Sequence, residues 1–66
     1  MVMIIRKSLS INETFKLMDN REIRGLINKF KIVVSVAESG ISVAGPDEVG
    51  TQEVYNKVYS FVEEVK

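Results

Sequence analysis

Four cations and an amide are the side chains of this sequence best suited to engaging a ligand. They are Lys16, Arg21, Arg24 and Lys29, with Asn20 among them. Long cationic side chains contact phosphates, and an asparagine can hydrogen-bond a base or a backbone. Arg21 and Arg24, three residues apart, are neighbours on any helix that carries them. The plainer use of such a set is a solvated helix face, partly balanced by Glu13 and Glu22. Catalysis has less material. There is no histidine and no cysteine, so imidazole and thiolate chemistry and a structural zinc site lack ligands. No serine lies in a nucleophile-elbow context. The glycines at 25, 40, 45 and 50 form neither a Walker loop nor a dinucleotide fingerprint. The expectation is a protein that is not an enzyme and uses no cofactor or metal.

Charge distribution supports a binding role. Residues 1–33 hold seven Lys/Arg against three Asp/Glu, a net +4; residues 34–66 hold two against six, a net −4. The balanced total of the 66-residue chain thus hides a cationic half suited to a polyanionic or acidic partner. The length suits one domain, 1–66, near the lower limit for a fold without staples, so association with a second copy is a further option. The absence of cysteine fits a reducing, cytoplasmic setting. No apolar run approaches the roughly 20 residues that span a bilayer, so no membrane partner is expected.

The elements that must position these residues follow from periodicity. Residues 2–9 read as a strand. Ser10-Ile11-Asn12-Glu13 is a capping box, which starts a helix at Ile11 with Ile11, Phe15 and Met18 on one face. A second apolar set, Ile23, Leu26, Ile27 and Phe30, is rotated by about 100° from the first if the helix runs unbroken. One straight helix cannot aim both stripes at one core, so a break is expected at Asp19-Asn20-Arg21. Asp19 then caps a new helix, with Glu22 three residues on. Gly25 inside that helix costs about 1 kcal/mol against alanine, which a close helix-packing contact would explain. Phe15 and Phe30 both belong to core stripes in this reading, leaving no stacking platform for bases.

Residues 31–37 (KIVVSVA) read as a strand with Ile32, Val34 and Val36 on one face, followed by a turn at Glu38-Ser39-Gly40 and a strand at residues 41–45. Gly45-Pro46-Asp47 ends that strand. A last helix starts between Asp47 and Thr51, with Val54, Val58, Phe61, Val62 and Val65 in one stripe. Tyr55 and Tyr59 flank the stripe, at the core margin or as a contact patch for a partner chain. The expected fold is α+β, in the order β-α-α-β-β-α, with a three-stranded antiparallel sheet covered on one face by three helices.

That order, Ile23-x-x-Leu26 in the second helix, the strands KIVVSV and ISVAG and the closing helix TQEVYNKVYSFVEEV together resemble a type I K-homology (KH) domain over nearly the whole chain. The resemblance implies binding of RNA or single-stranded DNA, with a Gly-x-x-Gly loop between the first two helices lying against the nucleic-acid backbone. At the matching positions Leu17-Met18-Asp19-Asn20 neither glycine is present, so the loop is degenerate. The nucleic-acid contacts expected are Lys16, Asn20, Arg21, Arg24 and Lys29. The alternative is a protein-interaction module on the same fold, an adaptor, inhibitor or self-associating subunit, with Tyr55 and Tyr59 at its interface.

Overall fold

The computed structural model describes residues 1–64. Its elements run β1 (Val2–Ile5), α1 (Ile11–Asp19), α2 (Arg21–Phe30), β2 (Val33–Ala37), β3 (Gly40–Ala44) and α3 (Glu48–Glu64). The β-α-α-β-β-α order and the α+β class expected from the sequence are therefore what the chain adopts. The strands form one antiparallel sheet in the order β1-β3-β2. In its register Val2 and Val33 flank Ala44, while Ile5 and Val36 flank Ile41.

The central strand anchors the core. Ile41 and Val43 are fully buried and join Ile5 and Ile32 with Leu17 and Ile23 from the first two helices and Val54, Val58 and Val62 from α3. Strand alternation sends Val2, Ile4 and Val33 to the opposite face, where they are exposed. Along α3 the valines at 54, 58 and 62 recur every fourth residue, the spacing of one helix face. The last member of the expected stripe, Val65, lies outside the described residues.

Several boundaries differ from the sequence expectations. β1 stops at Ile5 instead of residue 9, and residues 6–10 lead into the helix. The capping box forms as expected: the Ser10 hydroxyl accepts from the Glu13 amide at 3.2 Å, and the Glu13 carboxylate accepts from the Ser10 amide at 2.9 Å. The break between the helices is a single residue, Asn20. Its side chain, not that of Asp19, caps α2 by accepting from the Ile23 amide at 3.1 Å, while Asp19 completes α1. Lys31 does not begin β2. It closes α2 in the left-handed conformation, φ 56°, so the strand starts at Val33.

α1 is turned relative to expectation. Ile11, Phe15 and Met18 are 75%, 62% and 46% exposed, and Leu17 is the residue that α1 buries. With one residue between the helices, the packing of α2 dictates how α1 lies. Ile23 and Ile27 join the core and carry Leu17 inward with them. The close packing contact expected at Gly25 is found at Gly50 instead. Gly25 has open space where a side chain would stand, so it makes no packing contact. Gly50 lies under the Phe30 ring, where a Cβ would come within 2.4 Å of it. That contact explains a glycine in the first turn of α3, which begins at Glu48.

Candidate nucleic-acid interface

The solvent face of α2 is set by its apolar stripe. Ile23, Leu26, Ile27 and Phe30 turn inward, so Arg21, Arg24, Asn28 and Lys29 are left exposed around Gly25. Arg21, Gly25 and Lys29 follow one another at four-residue steps, a single row along the helix. Arg21, Glu22 and Lys29, with Gly25 and Leu26, line a groove of about 590 Å³ whose other wall is Glu53, Asn56 and Lys57 of α3. The missing side chain at Gly25 keeps the middle of this groove open.

Ion pairing separates the cations into two groups. Lys57 Nζ donates to Glu22 Oε1 at 2.8 Å across the two helices, and Lys7 pairs with Glu63. The hydrogen bond to Glu22, then its charge and that of Glu53, raise the Lys57 pKa above the ordinary lysine value. Among the described residues Lys16, Arg21, Arg24 and Lys29 have no ion pair. Lys29 makes one intramolecular contact of another kind, its ammonium lying 5.2 Å from the Phe30 ring centre.

The expected binding set does not form one cluster. Arg21 and Lys29 share the α2–α3 groove, whereas Arg24 is exposed outside it, about 140° around the helix from Lys29. Lys16 is exposed on α1, about 100° around that helix from Phe15. Asn20 is half-buried and its side-chain oxygen is used in capping. Its NH₂ group and the second lone pair of the oxygen are not used by that bond. The junction itself has no loop in which a backbone could be cradled, since α1 ends at Asp19 and α2 begins at Arg21.

Phe15, expected in a core stripe, adds an aromatic side chain to the surface. Phe15 is exposed and lines a second groove, of about 520 Å³, between α1 and the end of β2. Its spacing from Ile11 and Met18 marked it as apolar-stripe material, and only the orientation of α1 reveals that the stripe faces solvent. Tyr55 and Tyr59 stack on α3 with ring centres 6.1 Å apart, Tyr59 being the more exposed. Lys7 Nζ sits 5.8 Å from the Tyr59 ring centre. The sequence linked none of Lys7, Tyr59 and Glu63, which are far apart in the chain and meet only through the fold.

Among the described residues no group of His, Cys, Asp or Glu could hold a metal ion, and no helix is long and apolar enough to cross a membrane. No protein-family model matches this chain, and neither a curated protein nor a solved structure shows significant similarity to it.

Proposed function

We propose that this chain is a small non-enzymatic module that binds single-stranded nucleic acid along the solvent face of α2. The observation that carries the reading is the set of exposed cations, Arg21, Arg24 and Lys29 on α2 and Lys16 on α1, none held in an ion pair among the described residues. Arg21, Arg24 and Lys29 add positive charge along one helix without an intramolecular ion pair, and Lys16, whose charge acts on Glu13, adds to it from α1. Gly25 supports the same reading, since a helix surface without a side chain lets a sugar–phosphate backbone approach closely. The element order shared with type I K-homology domains is further support. With no glycine loop at the junction, phosphates are engaged by side chains rather than by backbone amides.

An amide-shift titration with a short single-stranded oligonucleotide at two salt concentrations tests this. Shifts are expected at residues 16, 21, 24 and 29. Affinity should fall with salt at a logarithmic slope of about −0.7 for each phosphate neutralised. Arg21→Glu and Arg24→Glu should abolish binding while leaving the amide spectrum of the core unchanged. Absence of shifts, or binding indifferent to salt, refutes the proposal.

A second reading, a protein-interaction module, draws on a different observation. Ile11, Phe15 and Met18 form an exposed apolar stripe on α1, the pattern of a helix that packs against another element.

A further inference from the structure

We infer that the free edge of β2 and the outer face of α1 form a two-fold interface with a second copy of this chain. The inference rests on the interaction-module reading and supplies its partner. β2 is an edge strand, because β3 occupies the centre of the sheet. Its five residues, VVSVA, contain no charge and no proline, the devices that normally protect an edge from pairing. Beside the β2 edge lies a groove whose lining includes Leu9, Ile11, Phe15, Val36 and Ala37 and ends at Glu38, so backbone pairing groups and exposed apolar side chains occur together.

The strand is complementary to itself. An antiparallel pairing centred on Ser35 sets Val34 opposite Val36 of the second copy and Val33 opposite Ala37. Each pair then shares a face, since Val34 and Val36 are half-buried while Val33, Ser35 and Ala37 point away from the core. The same pairing sets Lys31 opposite Ser39 and Glu38 opposite Ile32 of the second copy, so Lys31 and Glu38 are diagonal neighbours at each end of the joined strands. Neither residue has an ion pair among the described residues. A parallel pairing would set like charges together at both ends. The result is one six-stranded sheet in which the Ile11/Phe15 stripe of each copy lies beside the joined edges.

Sedimentation equilibrium of nucleic-acid-free protein reads this directly. The expected result is a reversible dimer of twice the 7.5 kDa chain mass, with a dissociation constant of about 1–100 μM. Ser35→Lys puts like charges opposite each other on the axis, and Phe15→Glu charges the stripe. Both positions are exposed, so circular dichroism should be unchanged while the dimer weakens by about tenfold or more. Lys31→Glu should weaken it, and Lys31→Glu combined with Glu38→Lys should restore it. A monomer at all concentrations, or a dimer that survives Ser35→Lys or Phe15→Glu, overturns the inference. An oligonucleotide or an unrelated peptide occupying the α1–β2 groove of a strictly monomeric protein does so too. Nucleic-acid binding on α2 is read separately, from the salt-dependent titration.

Discussion

Gly25 shows how one residue type carries two opposite meanings. Inside a helix, glycine costs about 1 kcal/mol relative to alanine, because its backbone is freer in the unfolded chain. Gly50 and Gly25 both bear that cost, but Gly50 accommodates Phe30 and Gly25 accommodates nothing within the chain. Gly25→Ala should therefore raise stability by about 1 kcal/mol, seen as a melting temperature some 4–8 °C higher in calorimetry. If the nucleic-acid backbone approaches α2 closely, the same variant should bind more weakly despite its greater stability. From the sequence alone a packing role was the natural reading of Gly25, since periodicity does not say which neighbour a helix face meets.

At the scale of elements, α1 depends on its first turn. The reciprocal bonds between Ser10 and Glu13 satisfy two amides that the helix cannot satisfy itself. The Ser10 amide, then the Ser10 hydroxyl, hold the Glu13 carboxyl below its ordinary pKa, so the folded state prefers the carboxylate. That contribution is complete above the unfolded-state pKa and is lost as pH falls through the lower folded-state value. Glu13→Gln keeps an acceptor for the Ser10 amide but does not titrate. The stability difference between parent and variant should therefore shrink as pH drops below about 4, measured by urea unfolding at stepped pH. The Ser10 cap and the break near position 20 were legible in the sequence because both depend on local bonding and on a phase shift between apolar stripes. The capping residue moved from Asp19 to Asn20 because either side chain can accept an amide bond, and the packing of Ile23 decides which amide is presented.

At the scale of the whole molecule, Leu17 is the link between α1 and the rest. It is 1% exposed and is the one residue of α1 buried in the core cluster, while Ile11, Phe15 and Met18 remain in solvent. Leu17→Ala should destabilise by about 3 kcal/mol. A domain of this length has a total stability of roughly 3–10 kcal/mol, so a measurable unfolded fraction should appear in thermal melts near 37 °C. Phe15→Ala, by contrast, should leave the melting curve nearly unchanged. Hydropathy ranks these positions alike, and their sharply different burial comes from tertiary packing.

The amino-acid sequence by itself determined the order of elements, the α+β class, the capping box at Ser10, the core stripe of α3 and the cationic composition of α2. Each follows from interactions within a few residues or from a period of two or 3.6. Tertiary structure alone decided which side of α1 turns inward, that Arg21 and Lys29 face a groove while Asn20 is committed to a cap, and that Lys7, Tyr59 and Glu63 meet. The reason is that a helix can rotate about its axis without altering any of its own hydrogen bonds. Only contacts between elements distant in the chain select one rotation, and those contacts leave no periodic trace in the sequence.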